Sequence, residues 1–562
     1  MEEDATVRNS IKRTAWSVGL ATAGIAAIAG PIAGSASAKH TAHAAAGKSI
    51  TLLSGPGPQS LDPSLDYTTQ GSEINWEVYT GLTTYKHGSG LTGTELQPGL
   101  ATALPKISAD GKTYTVTLRK GLKFSNGDPV QASDFVTTME RSLTIPWGGV
   151  SAFVTPYVKG AAAYAAHKSK TISGITANNA TGKIVIHLTQ AYGPFANVLA
   201  FPAFGLQDPK TMTTPYKVQA SNPPAGAGPY MVQNINIGNT FNVVPNPNWP
   251  GLPGIPKATV SVTEKIDSNI NANALSVLKN SSEVFDWADT IPGGDLAQVQ
   301  HSGSYKLIDL GGSVYYFFLN ASKAPFNNQD AREAVVTGLN EAGFSRLGSG
   351  TLTPACFFLP PGIPGHPKAK CPLANPATGN LAKAKQLLQK SGQANVPITV
   401  YGEERSPRLQ WEQAYVQELK TIGFKNVQLK EVADSNYFTV IGESKKIDPQ
   451  TGFADWNEDF PNPVDFYGVL LDGHAIQTTS NENFGQTNDP YINNQVAKLG
   501  TTPTTEITKV ASQWQKLDEY VAKHAYAAVF GYQAFPFFTS KNVSVKYTNS
   551  IYGWDLLGLS VK

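Results

Sequence analysis

The chain has 562 residues, too many for one hydrophobic core, so two or three domains are expected. Only 15% of residues are charged and the formal net charge is +2, which leaves no electrostatic footprint for nucleic acid. The 52 Gly and 38 Pro are scattered without a repeat, favouring many short strands and turns over a helical bundle.

The N-terminus reads as an export signal: Arg8, Lys12 and Arg13 precede a small-residue apolar run from Ala15 to Ile32, and Ala36-Ser37-Ala38 supplies an A-x-A cleavage pattern. A second cut could follow Ala44-Ala45-Ala46. The alternative is an uncleaved membrane anchor, since the run approaches the length of a bilayer span, although it is Ala/Gly-rich and carries Pro31. On the first reading residues 1–38 are a signal peptide and 39–48 a flexible tail.

Further along, Thr113–Leu118 alternates with period two, the mark of a half-buried strand, and Ser125-Asn126-Gly127-Asp128-Pro129 is dense turn chemistry. Ser133 is expected to cap a helix whose apolar stripe is Phe135, Val136, Met139 and Leu143. Arg332 falls on a helix beginning near Gln329 and is read as structural. Both cysteines, Cys356 and Cys371, share one loop-rich segment. A disulfide is expected there, because a metal pair would lack further nearby ligands and exported proteins keep disulfides. Asn380 caps a helix with Ala384, Leu387 and Leu388 inward and Gly392 as its stop. Ser406 and Pro407 open another, with Trp411, Tyr415, Leu419 and Ile422 on one face and Gly423 at its end. Strand-like runs Ile398–Tyr401 and Val427–Val432 flank these helices, which favours packed α/β lobes.

Catalytic signals are sparse. Gly111-Lys112-Thr113 resembles the end of a phosphate loop, but the position five residues earlier is Lys106 and the segment enters a strand. H-E-x-x-H, G-x-S-x-G and C-x-x-C motifs are all missing from the sequence, and its nine His are dispersed. No enzyme and no cofactor are expected.

The segment Leu96–Leu143 closely resembles the family 5 extracellular solute-binding proteins, the dipeptide- and oligopeptide-binding class that feeds ABC importers. Leu61-Asp62-Pro63 with Val78-Tyr79-Thr80-Gly81-Leu82 is similar to the family's opening strand and helix. Gly226-Ala227-Gly228-Pro229-Tyr230 is similar to its Gly-Thr-Gly-Pro-Tyr turn. Phe318-Leu319-Asn320, Pro325-Phe326 and Ala331-Arg332-Glu333-Ala334 resemble the opening of its second large lobe. Trp456, Asp459, Pro461 and Pro463 fall where it has a W-x-x-D-x-x-x-P cleft segment. Departures are Ser282 in place of the usual Gly before Glu283, and Asn340-Glu341 in place of Asp-Arg.

The resemblance implies a two-lobed α/β fold like that of periplasmic binding proteins, with an inserted third domain and a ligand cleft between the lobes. Lobe I would comprise 49–92, 225–310 and 525–562, the inserted domain 93–224 and the other lobe 311–524, with strands crossing as a hinge. It implies capture of a peptide-like small ligand by a monomer, and delivery to a membrane ABC permease with its ATPase. Many relatives are lipoproteins, but no Cys precedes Cys356, so the protein is expected free in a periplasm or wall space, or tethered by an uncleaved helix.

The resemblance also implies that Asp459 receives the peptide α-ammonium, with Trp456 walling the same pocket; a turn-capping carboxylate and a core Trp are the plain alternatives. Asp455 and Glu458 are expected to face solvent, though either could take over the ammonium. Arg405 lies roughly where some dipeptide binders hold the ligand carboxylate, but its spacing fits a solvated loop Arg better. Non-peptide solutes such as an oligosaccharide or a metal chelate remain open for this fold. A secreted hydrolase or a wall-associated interaction protein is the remoter alternative.

Overall fold

The computed structural model describes residues 48–145, 150–291, 293–373, 378–433 and 436–562. The expected signal peptide and the tail up to residue 47 lie outside the described residues. Among the described residues no helix is long and apolar enough to cross a membrane.

Three sheets organise the chain. A five-stranded sheet runs Glu283–Phe285, Ser49–Ser54, Ser261–Ile266, Thr240–Pro245, Tyr230–Asn236 in spatial order, so its strands come from distant parts of the sequence. A four-stranded antiparallel sheet is built from Lys106–Ile107, Thr113–Thr117, Lys183–His187 and Ile175–Asn178. The largest sheet runs Tyr305–Asp309, Ala527–Phe538, Ser313–Leu319, Thr451–Asn457, Ile398–Glu403, Val427–Val432, and Leu352–Thr353 also pairs with Ala527–Phe538.

The two central strands of this sheet, Ser313–Leu319 and Ala527–Phe538, are buried at every residue. Their near-continuous apolar character is what burial on both faces demands. The long strand also changes company along its length. Phe530 stacks on Phe317 near its start, whereas Phe535 and Phe537 pack around Trp287 in the core of the five-stranded sheet. A second link is Leu310–Gly312, which joins Tyr305–Asp309, paired with the Ala534–Phe538 end of the long strand, to Ser313–Leu319, paired with its start.

Local expectations are mostly met. Asn380 accepts from the Lys383 N–H and Gly392 closes that helix in the left-handed region at φ 69°. Trp411, Tyr415, Leu419 and Ile422 form the buried face of the helix Arg408–Ile422. Arg332 is structural, donating to the Phe326 and His524 carbonyls. Cys356 and Cys371 are joined in a disulfide with a Cα–Cα distance of 5.9 Å.

Two helix starts differ from expectation. The helix Ala132–Thr144 is preceded by Gln131, whose N–H donates to the Asp134 carboxylate at 2.7 Å. Ser133 lies inside the first turn instead, where its N–H and hydroxyl are both engaged by the side chain of Asn179. The later helix begins at Arg408, one residue beyond the expected start, with Pro407 in the flanking position and no side-chain cap.

A buried ion pair ties the helix Ala132–Thr144 to the segment that follows the strand Ser49–Ser54. Arg141 is wholly enclosed and donates to both oxygens of Asp62, to Ser64 and Gln207, and to the Lys217 carbonyl. The Gln219 N–H adds a further donor to Asp62 at 2.7 Å.

Candidate functional site

The strand Thr451–Asn457 pairs antiparallel with Ser313–Leu319 in a register that sets Asn457 opposite Ser313 and Trp456 opposite Val314. Asp455–Asp459 therefore leaves the sheet beside the crossing Leu310–Gly312. A cavity of about 230 Å³ opens there, and this stretch forms one wall. The opposite wall is Tyr67–Thr69, leading into the helix Thr69–Val78, with Trp287 and Ser550–Tyr552; Phe201 closes one side. Asp459 and Trp456 are thus brought into the same cavity.

Asp459 is half-buried and is joined to the far wall directly, since the Tyr67 hydroxyl donates to its Oδ2 at 2.5 Å. Its backbone N–H donates to Asp465 Oδ2 at 2.8 Å, and the Trp456 indole N–H donates to the same oxygen at 3.1 Å. Asp465, in the first turn of the helix Pro463–Leu470, is therefore the residue that orients both expected ligand contacts.

Asp455 and Glu458 do not face solvent as expected. Glu458 is 8% exposed, and neither of its carboxylate oxygens has a hydrogen-bond partner. The chain turns as it leaves the strand, with the Glu458 N–H donating to the Gly312 carbonyl, so strand alternation no longer sets which way a side chain points. Asp455 is ion-paired to Arg408 at 2.6 Å, and Arg408 also holds Glu403 at 2.8 Å and lies over the Phe453 ring.

Arg405 is exposed and outside the cavity lining. Its charge is felt at Asp289 instead, which burial and Asp286 push up to about 8 against the opposing pull of Arg405. The expected carboxylate contact is therefore not assembled with Asp459 and Trp456.

Acids cluster at this wall: Glu458 and Asp459 line the cavity, and Asp465 and Glu482 lie close enough to feel Asp459. Burial raises Asp459 to about 7, partly opposed by the Tyr67 bond. Burial, with Asp459 nearby, raises Glu458 to about 8 and Glu482 to about 7, and also raises Asp465. Among the described residues, no Lys or Arg lines the cavity or forms an ion pair with any of these four acids. Such a pocket attracts a cation and holds it most strongly when closed from water.

Sequence reading missed Tyr67, Trp287 and Tyr552 in the wall. Tyr67 stands four residues after the Leu61-Asp62-Pro63 motif, which was the one available signal.

Comparison with known proteins is consistent with this architecture. The profile of the bacterial extracellular solute-binding proteins, family 5 (middle part), matches residues 95–478. The chain belongs to that family. Its members are extracellular solute-binding proteins, so an exported binding protein is the class to which this chain is assigned. A probable D,D-dipeptide-binding periplasmic protein, DdpA, of Escherichia coli K12 is 25% identical over 508 residues, 88% of this chain and 90% of that one. The dipeptide-binding protein DppE of Bacillus subtilis is 24% identical, covering 89% of this chain and 90% of its own length.

Among solved structures, the clavulanic acid biosynthesis oligopeptide binding protein 2 superposes with a TM-score of 0.83 at 19% identity, over 92% of this chain and 95% of that one. DppA of Helicobacter pylori, solved with the peptide STSA, gives 0.72 at 20% identity over 92% and 98%. These likenesses establish the two-lobed periplasmic peptide-binding-protein fold for this family 5 member.

Proposed function

We propose that this protein captures peptides by pairing their α-ammonium with Asp459 in the cleft, and delivers them to an ABC importer. The observation that carries the reading is the acid cavity with no Lys or Arg in its lining. A protein that buries several carboxylates without a base of its own leaves the countercharge to its ligand. The names of the relatives, dipeptide- and oligopeptide-binding proteins, agree with a ligand that carries an ammonium.

The cavity volume, about 230 Å³, falls below the roughly 300–1,000 Å³ typical of drug-sized ligands, which suits one or two residues at the amino-terminal end. With no cation in the lining to clamp a carboxylate, the trailing end is free and longer peptides are accommodated. The proposed lobes are 49–92, 225–310 and 525–562 on one side, 311–524 on the other, and 93–224 inserted, so that the largest sheet spans the boundary through Tyr305–Asp309 and Ala527–Phe538. Leu310–Gly312 and the strand Ala527–Phe538 serve as the hinge. A ligand bridging Asp459 and the Tyr67–Thr69 wall stabilises closure by its differential contacts with the closed state. The permease with its ATPase then reads that closed monomer. Asp459 and Trp456 are the proposed ligand contacts; Arg405 is left as a solvated loop residue that biases Asp289.

A thermodynamic cycle tests the pairing. Asp459→Asn is expected to weaken a short peptide by about 2–5 kcal/mol, roughly 30- to several-thousand-fold. N-acetylation of the peptide should weaken wild-type binding similarly, and add little to the Asn variant, since both changes delete the same bond. Calorimetry showing additive losses refutes the pairing. Binding of an oligosaccharide with no binding of any peptide refutes the peptide reading itself.

A further inference from the structure

A second cluster of ionisable side chains lies behind the cleft wall, where the proposed peptide has no contact with it. Glu77 ends the helix Thr69–Val78, His87 follows the strand Thr83–Tyr85, and Asp555 follows Gly553–Trp554 near the C-terminus. One ligand-type atom from each lies within 4.8 Å of those of the other two. Glu77 is 1% exposed, Asp555 is 0% exposed, and the His87 side chain is 5% exposed.

The hydrogen bonding of the trio is incomplete. His87 Nδ1 faces Asp555 Oδ2 at 2.9 Å, and Glu77 Oε1 accepts from the Leu556 N–H at 3.0 Å. Glu77 Oε2 and Asp555 Oδ1 are buried without any hydrogen-bond partner. Neither carboxylate forms an ion pair with Lys or Arg among the described residues, so the imidazole is the only base paired with them. Two carboxylates and one imidazole meet here with no Lys or Arg ion-paired to them among the described residues, so a divalent ion would supply the countercharge. Unpaired buried carboxylate oxygens are costly, and coordinating a metal is one of the few ways to satisfy them.

We propose that Glu77, His87 and Asp555 form a binding site for a first-row divalent cation of the zinc type, structural in role. One imidazole and two carboxylates are a donor set that suits such an ion. Metal–ligand bonds of about 2.0–2.2 Å put two ligands at most about 4.4 Å apart, so the trio needs only a modest contraction to grip it. The Trp76 ring stacks on His87 at 4.6 Å and fixes the imidazole plane. An ion here bolts the C-terminal segment to the helix whose other end enters the cleft at Thr68 and Thr69. Ser550–Tyr552, which also line the cleft, immediately precede the clamped segment. The ion thus braces the wall opposite Asp459 without touching the ligand.

The test uses tag-free exported protein stripped with a chelator and dialysed. Titration with zinc chloride, read by calorimetry and by metal analysis after gel filtration, should give one equivalent per chain and a raised melting temperature. Glu77→Gln and Asp555→Asn, which keep side-chain shape, should each weaken zinc by at least about a hundredfold, since even supporting residues of metal ligands cost 10–100-fold. His474→Ala removes the exposed His474–Asp472 pair and should leave the affinity unchanged. In case a variant fails to fold, X-ray absorption on the zinc-loaded wild type should show one imidazole among oxygen ligands. A wild type that takes up no zinc or manganese overturns the proposal, as does zinc lost only in His474→Ala; the trio is then neutralised by protons alone.

Discussion

Two regions of this molecule bury charge, and they treat it in opposite ways. Around Asp62 the fold supplies the countercharge itself: Arg141 grips both carboxylate oxygens, and the remaining donors and acceptors come from Ser64, Gln207, Gln219 and a carbonyl. Around Asp459 four acids gather with no Lys or Arg ion-paired to them among the described residues, and the Glu458 carboxylate lacks even a hydrogen bond. The first arrangement holds segments together, with only the buried Arg141 Nε left without a partner. On the proposed reading, the second is completed by the cation of its ligand. Asp455 stands between these extremes, lining the cavity while already paired with Arg408.

The contrast is sharpest when a base is removed. Arg141→Met should strand Asp62 and cost about 3–5 kcal/mol of stability, seen as a lower denaturant midpoint, with ligand affinity unchanged in the fraction that folds. Arg408→Met should cost less, at the bottom of that range near 3 kcal/mol, because the Arg408 and Asp455 side chains are 11% and 10% exposed and only Glu403 is fully buried. It should also tighten cationic ligands, since Asp455 then adds an uncompensated charge to the cavity wall. Loss of stability with weaker binding would blur the distinction between the two regions.

Changes in pH act more gently. Asp459, Glu458 and Glu482 are raised to about 7, 8 and 7, above their unfolded values near 4, so the folded protein holds extra protons between those limits. Their contribution to stability is therefore present at low pH and lost as pH rises through 7–8. The ligand-free melting temperature should fall from pH 6 to pH 8.5, and the combined Asp459→Asn and Glu458→Gln variant should flatten that fall. Peptide affinity should move the other way, rising from pH 5 to about 7 as Asp459 ionises, then declining above about 8 as the α-amino group loses its proton. The smallest effect is expected from Asp459→Asn alone on the empty protein at neutral pH, within about 0.5 kcal/mol, because it removes no ion pair.

What could be read in the sequence was whatever a short stretch determines. The face of the helix Arg408–Ile422 follows from spacing alone, and Asp459 and Trp456 share a four-residue motif that survives intact. What could not be read depends on distant partners. Tyr67 meets Asp459 across 392 residues, Arg408 meets Asp455 across 47, and no local pattern encodes either meeting. Ser133 looked like a cap because its type and position fit, yet Asn179, 46 residues later, engages it from another strand end. Glu458 looked exposed because it is an acid in a crowded acidic stretch, and nothing local shows that the chain turns it inward against Gly312.

The phenol of Tyr67 on Asp459 means that the empty receptor already has an occupant at its most attractive point. On the proposed pairing, recognition is a substitution, in which an arriving amine must evict or share with a neutral donor that is already well placed. Small amines and inorganic monocations gain little from such a swap, because they exchange one hydrogen bond for another and leave the cavity unfilled. Only a solute that brings an ammonium together with enough body to cover Trp456 and Trp287 comes out ahead. On that proposal the tyrosine acts as a discriminator against background electrolyte, keeping the receptor silent until a whole molecule of the right class is present.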